Sequence, residues 1–438
     1  TPSTTDGAAS RDGHDFSLKP GQYINQNIFN IFYRISLPGL CFNIGALFMD
    51  TAKRIYNVLF ISVFATMLGL GVVSPLLPIY AENLGATGIW LGIIFSAFAL
   101  SRSIFMPIIG RISDRQGRKW IILIGMFAYA ALSLAYLIAG SVYSLTAVRF
   151  AHGIASAMVV PIAMAYIADL SEKGKEGSHM GNFSISMFLG MGVGPLLGGF
   201  LNDAFGMPSV FYVMAGLSAF ATILVAISLP EAKPGSFRNP VDDPAPMREV
   251  FRLPVMRGVM VFSFISALGR GGMMVFIPVF APLIAISPAE VGVVLSVNTF
   301  LMALLQVPIG RLTDTGNKVA LIVTGSAIAA IALAAIPLSG SFWPLLAITS
   351  LIGVGGAIQQ PSIMALTVDA GRTIGMGTSM GAYNTVFGVG MIIAPLIGGA
   401  FMDFIGIEAV FYVGGAISLL GTVVFAAMMQ GSARAAAP

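Results

Sequence analysis

Charge is what this sequence has least of. Only 10% of its 438 residues are Asp, Glu, Lys or Arg, while 56% are hydrophobic and the mean hydropathy is +0.88. An ordinary soluble domain carries about 25% charged residues, so a water-soluble fold is excluded. Cysteine is all but missing: Cys41 stands alone, which rules out an intrachain disulfide and any thiolate cluster. Histidine is nearly as scarce, with His14, His152 and His179 supported by no metal-ligand cluster and no paired acids. No metal, cofactor or enzymatic centre is therefore expected. The first residues, TPSTTDGAASRDGHD, are polar and lack a signal-peptide h-region. A net charge of +4 says nothing about nucleic acid in a chain of this composition, and no such partner is expected.

In excess are apolar runs long enough for the ~20 residues of a membrane helix. Runs and polar breaks place spans near 55–81, 88–110, 119–139, 142–168, 180–202, 208–229, 256–284, 290–310, 318–338, 343–368, 376–402 and 407–429. That makes twelve, in two sets of six. Between the sets stand Pro230, Pro234, Pro240, Pro244, Pro246 and Pro254 among charges of both signs, a stretch that cannot continue a helix. The expected organisation is an N-terminal extension (1–54), a six-helix bundle (55–229), a cytoplasmic linker (230–254), a second bundle (255–430) and a cytoplasmic tail (431–438). Within the extension, 24–49 is apolar but interrupted by Asn25, Asn27, Asn30, Arg34, Pro38 and Asn43. It reads as a segment lying on the membrane, with an extra span or a contact with the bundle as alternatives.

The few charges are sorted by side. Lys53, Arg54, Arg111, Arg115, Arg118, Lys119, Arg311, Lys318 and Arg372 fall at one end of the spans, and Glu82, Asp203, Glu290, Asp403 and Glu408 at the other, which has no Lys or Arg. The positive-inside rule makes the basic end cytoplasmic, with both termini inside, as an even span count requires. The expected location is the plasma membrane.

An internal repeat appears at an offset of 200. Pro78 maps to Pro278, Gly110-Arg111-x-x-Asp114 to Gly310-Arg311-x-x-Asp314, and Asp203 to Asp403. Val210-Phe211-Tyr212-Val213 likewise maps to Val410-Phe411-Tyr412-Val413. Abundant glycine and apolar residues would produce some matches by chance, but not the paired acids or the four-residue run. Two six-helix bundles in the same orientation point to a central site between rocking halves.

Three motifs sharpen this. GRISDRQGRK at 110–119, read as the loop after the second span, matches G-x-x-x-D-R-x-G-R-K in full. On these residues the chain resembles the major facilitator superfamily. The resemblance implies that Gly110, Asp114, Arg115, Gly117, Arg118 and Lys119 form a latch, with Asp114 pairing to nearby cations and to the opposite half in one conformation. The second copy, GRLTDTGNK, keeps Asp314 but loses the downstream Gly-Arg-Lys, which suggests a weaker latch. Arg149-Phe-Ala-His152-Gly153 is similar to the family's R-x-x-Q-G pattern, linked to proton coupling, with His152 in place of Gln. His152 could titrate near neutral pH or be a buried, hydrogen-bonded histidine. Proton-coupling candidates are therefore Arg149, His152 and Asp114. Third, Gly181, Gly190, Gly194, Pro195, Gly198 and Gly199 resemble the motif of the drug/proton antiporter branches, and Pro395, Gly398 and Gly399 repeat its end. Small-residue helix packing is its physics, and each proline is expected to bend its span near the external end.

Charges inside membrane spans are functional candidates. No Asp or Glu falls near mid-membrane, whereas Arg102, Arg149 and Arg270 lie well inside their apolar runs. Arg149 could snorkel outward; Arg102 points away from its nearer interface, and Arg270 is too central to escape. A cationic cavity is expected, with Asn298, Gln306, Gln359, Gln360, Tyr383 and Asn384 as polar neighbours or as interhelical hydrogen bonds. The expected protein is a monomeric all-α membrane transporter working by alternating access. It would be a proton-coupled exporter of amphipathic, anionic or lipid-like small molecules, or else an uncoupled facilitator or flippase for an anionic molecule or lysolipid.

Overall fold

Backbone polar groups in lipid must be satisfied within the chain, and the apolar runs achieve this as helices. The computed structural model describes residues 51–170, 176–230 and 247–435, with side chains at 51–52, 168–182, 247–249, 376–377 and 431–435 left out. The segment 24–49 and most of the linker lie outside the described residues. The helices are α1 (Thr51–Val73), α2 (Leu77–Asn83), α3 (Gly88–Gln116), α4 (Arg118–Ala135), α5 (Val142–Leu170), α6 (Glu176–Phe205) and α7 (Met207–Ser228). They continue as α8 (Met247–Arg252), α9 (Pro254–Phe280), α10 (Pro288–Thr315), α11 (Lys318–Ala335), α12 (Phe342–Ile374), α13 (Met376–Phe404) and α14 (Ile407–Ala435). Twelve helices are long and apolar enough to cross a membrane, and no strand occurs among the described residues.

Two boundaries differ from the sequence reading. The first span, expected to run to 81, stops at Val73, and the chain re-enters a helix at Leu77. Pro75 and Pro78, three residues apart, supply no backbone N–H there, and the helix breaks between them. The second span, expected to end at 110, continues to Gln116. The latch motif is therefore helix rather than loop up to Gly117. That residue alone joins α3 to α4, at a φ of 98° that favours glycine. In the second bundle Asn317 occupies the equivalent place and instead caps α11, accepting from Ala320 N–H at 3.1 Å.

The repeat is structural as well as sequential. In the first bundle α1 packs on α6 and α7, α3 on α5, and α4 on α5 and α7; in the second the equivalents α9, α10 and α11 pack on α13 and α14, α12, and α12 and α14. The two bundles meet along α3–α13 and α6–α10, again an equivalent pair.

Candidate substrate-binding cavity

Halfway along α9 the chain places Arg270, next to Gly269 and about one turn before Met273, where the helix opens into a cavity of about 340 Å³. The walls come from α5 and α6 of the first bundle and from α9, α10, α11, α12 and α14 of the second. That volume falls within the range of small-molecule sites. The wall is apolar and rich in methionine: Met164, Met187, Met191, Met273, Met274 and Met302 all face it. Flexible thioethers suit a permissive surface. Among the described residues, no Asp or Glu lines the cavity. Arg270 Nη2 donates to Met302 Sδ at 3.7 Å, a weak acceptor, and Tyr383 is among its neighbours.

The other expected site residues divide. Asn298 and Gln359 line the cavity with Arg270. Asn298 Nδ2 also donates to the Thr349 carbonyl at 2.7 Å, so its orientation is fixed by the neighbouring helix. Gln360 Nε2 donates to Tyr383 Oη at 3.1 Å; this pair, like exposed Asn384 and half-buried Gln306, stands outside the cavity walls. Arg102 and Arg149 also lie outside them. Arg149 does not snorkel: it is 6% exposed, because Phe98 and Phe95 of α3 receive its guanidinium at 4.4 and 5.1 Å from the ring centres. Beside it His152 is fully buried, with Nδ1 2.9 Å from Tyr136 Oη and its ring 4.3 Å from that of Tyr129. His152 Nε2 and Arg149 Nε have no hydrogen-bond partner among the described residues.

At the acidic end the two bundles are sewn together by equivalent residues. Thr87 makes no side-chain cap for α3; Asp403, from the opposite bundle, accepts from Gly88 N–H at 2.6 Å and Ile89 N–H at 2.9 Å instead. Its partner Asp203 accepts from Ala289 N–H at 3.1 Å in the first turn of α10. A carboxylate at a helix N-terminus satisfies orphan donors and opposes the helix dipole. The glycines permit the approach. A Cβ on Gly399 would collide with the Gly88 carbonyl, and one on Gly199 with the Pro288 carbonyl. Deeper along the seam, Ser96 Oγ donates to Ile392 O at 2.5 Å and Ser296 Oγ accepts from Leu196 N–H at 3.1 Å. Both contacts fall beside the prolines, Pro395 and Pro195, where the helical ladder is interrupted. Gly190, Gly194 and Gly198 serve a different contact, facing the backbone of α1 within their own bundle. Gly181 lies where side-chain surroundings are not described. Neither Asp203 and Asp403 nor the serine pair was singled out as a gate from sequence, although the offset of 200 marks both pairs.

The basic end is different. α3 exposes Ile104, Ile108 and Ile112, and α10 exposes Leu304, Val307 and Leu312. A Cβ on Gly110 or Gly310 would meet nothing within 4 Å. Asp114 pairs with Arg118 of its own bundle at 3.2 Å. In the second bundle Lys318 pairs with Asp369 at 2.5 Å and Asp314 is exposed, so the two motif copies use their acids differently.

The family model of the Major Facilitator Superfamily matches this chain twice, over residues 59–284 and 259–437. The chain belongs to that superfamily. Its relatives are transporters: the uncharacterized MFS-type transporter MJ1560 of Methanocaldococcus jannaschii is 30% identical over 364 residues, 82% of this chain and 94% of its own. The quinolone resistance protein NorA of Staphylococcus aureus is 28% identical over 382 residues, 85% of this chain and 95% of NorA. Among solved structures the nucleoside transporter NupG shares the fold, with a TM-score of 0.70 at 17% identity, covering 86% of this chain and 99% of NupG. This facilitator-superfamily chain is thus an integral membrane transporter, with its cavity at the junction of the two bundles.

Proposed function

We propose that the protein is a secondary active exporter working by alternating access, whose cavity takes amphipathic small molecules bearing an anionic group. One observation carries the reading: Arg270 faces a cavity whose walls, among the described residues, hold no carboxylate. A guanidinium within a membrane calls for water, an aromatic face such as Arg149 has, or an anion, and for Arg270 the acid of a substrate supplies the missing partner. The methionine walls take its apolar part, while Asn298 and Gln359 offer neutral hydrogen bonds. A quinolone resistance protein among the relatives supports export.

In this reading the basic end is cytoplasmic, both termini are inside the plasma membrane, and the linker 230–254 couples the bundles of a monomer. The state joined at the acidic end is then inward-facing. Turning outward breaks the Asp203 and Asp403 contacts and brings the basic ends together, where Asp114 and its neighbours engage as the latch. Arg149 and His152, buried beside Tyr136, are the residues through which proton binding would act on the first bundle. The lack of a carboxylate in the cavity supports a second reading, an uncoupled facilitator or flippase for an anionic organic molecule or lysolipid.

Proteoliposomes test both. A fluorescent anionic amphiphile is expected to move against its gradient when a pH gradient is imposed and to stop when an ionophore collapses it. Flux indifferent to the ionophore selects the uncoupled reading. Equal anion binding by wild type and Arg270→Gln would defeat the anionic cavity in either form.

A further inference from the structure

The cavity does not end at the junction of the bundles. Behind Arg270 it runs into the interior of the second bundle, between α9, α11, α12 and α14, where Gly269, Ser326, Ala329, Ala330, Gly356 and Ser418 form its walls. Gly356 stands beside Arg270: a Cβ there would lie 3.7 Å from Arg270 Nη2 and 3.6 Å from Met302 Sδ. Two of the hydroxyls in this chamber, those of Ser326 and Thr422, are already engaged. Thr422 Oγ1 lies 3.0 Å from Ser326 Oγ, and each hydroxyl donates within its own helix, to Ser418 O and Ile322 O. Apart from Ser418 and Gln359, what remains facing the space is apolar.

The repeat supplies an internal control. At the offset of 200, Ser326 corresponds to Met126 and Ala329 to Tyr129. Both large side chains are fully buried in the first bundle, and Tyr129 packs its ring on that of His152. The two positions are three apart on one helix face. Methionine and tyrosine therefore fill in one bundle what serine and alanine leave open in the other. Interiors are otherwise close-packed, and an apolar void forfeits contact energy unless something occupies it.

We propose that this chamber is the tail slot of the substrate site, and that the substrate is a single-chain anionic amphiphile. Its acid group pairs with Arg270, and its alkyl chain turns past Gly356 into the space between α9, α11, α12 and α14. The proposal rests on the anionic-cavity reading above and adds chain length as a determinant of specificity.

The test uses the full chain in lipid nanodiscs and a series of straight-chain alkyl carboxylates from four to fourteen carbons. Alcohols and trimethylammonium compounds of the same lengths serve for comparison, and binding is read by the shift in Tm. Carboxylate affinity is expected to rise about fourfold per added methylene until the slot is full. Ala329→Tyr, which copies the first bundle, should leave short carboxylates unaffected and stop the gain several carbons earlier. Ser326→Met is the milder form should the tyrosine variant not fold. A wild type without chain-length dependence, or either folded variant keeping the wild-type length profile, overturns the slot. Failure of the underlying reading looks different: Arg270→Gln, or the alcohols, would match the wild-type carboxylate profile with the chain-length cutoff intact.

Discussion

At the centre of the first bundle Arg149 lies over Phe95 and Phe98, and His152 is walled in by Tyr129 and Tyr136. At the equivalent positions of the second bundle stand Thr349, Leu295, Asn298, Ile352, Ala329 and Ile336, and the cation appears instead at Arg270, where the first bundle has Leu70. One bundle satisfies its buried guanidinium with aromatic faces; the other leaves it facing open space. The same pattern of helices thus yields a solid half and a hollow half, and the hollow one is where a ligand can be held. Exchanging the two arginines for glutamine separates these roles. Arg270→Gln should weaken binding of an anionic amphiphile on the order of 100-fold, the scale of a charge-assisted hydrogen bond. Arg149→Gln should leave that affinity within about threefold and instead lower stability by about 2 kcal/mol through lost cation–π contact. Ligand titration and thermal unfolding of each variant check both.

The next contrast lies along the packing of α6 on α1 and of α13 on α9. Where the first bundle has Gly194, the second has Ala394, and each faces a glycine, Gly71 or Gly271. A Cβ on Gly194 would sit 2.5 Å from Gly71 Cα and 2.6 Å from its carbonyl carbon, so backbone would have to move. The second bundle already accommodates that methyl group. Gly194→Ala should cost about 2 kcal/mol by overpacking. The reverse change, Ala394→Gly, should cost about 1 kcal/mol, the difference in helix propensity between the two residues. Equal costs in thermal unfolding would mean that the two interfaces are equally close.

How much of this was legible depends on whether the information runs along the chain or across it. Twelve spans follow from run length, and the repeat from identities such as Asp203 with Asp403. The azimuth of an intramembrane arginine does not follow. Depth along the helix suggested that Arg102 and Arg270 could both face the cavity and that Arg149 could reach outward. The rings that hold Arg149 come from another helix, 51 and 54 residues earlier in the chain. The cavity's methionines were hidden by abundance, six among 24. Asp403 was legible as a repeated acid at a span end, but its acceptors' partners, Gly88 and Ile89 N–H, belong to the opposite bundle.

That acid pair gives the third contrast. Asp403 takes two backbone N–H groups of α3, whereas Asp203 takes one of α10, which also carries its own capping box from Ser287 and Glu290. Asp403→Asn should therefore loosen the seam more than Asp203→Asn, by about 1 kcal/mol against about 0.5 kcal/mol. The chain's single cysteine simplifies the measurement: with Cys41 replaced by serine, spin labels at Tyr143 and Trp343 report the width of the acidic end. These positions are equivalent in the two bundles and are 72% and 74% exposed. The wider distance should gain population in the order wild type, Asp203→Asn, Asp403→Asn; equal gains would show that α3 does not depend on its borrowed cap.

The same label pair decides what the motif acid at the basic end does, and here the expected effect is smallest. Asp114 and Arg118 form an i, i+4 pair with Asp114 60% exposed, and such pairs contribute roughly 0.3–0.5 kcal/mol. Lys318 and Asp369 form an ion pair within the second bundle. If Asp114 is also a latch, it contributes in the state open at the acidic end and not in the state described. Asp114→Asn should then move the population toward the narrow distance, opposite in sign to Asp403→Asn, and combining the two should partly restore the wild-type distribution. Asp369→Asn removes a contact made within one bundle, which a rigid-body motion of the bundles would preserve, and should leave the distribution unchanged. A population shift of the same sign and size from Asp114→Asn and Asp369→Asn would reduce the motif to two exposed ion pairs.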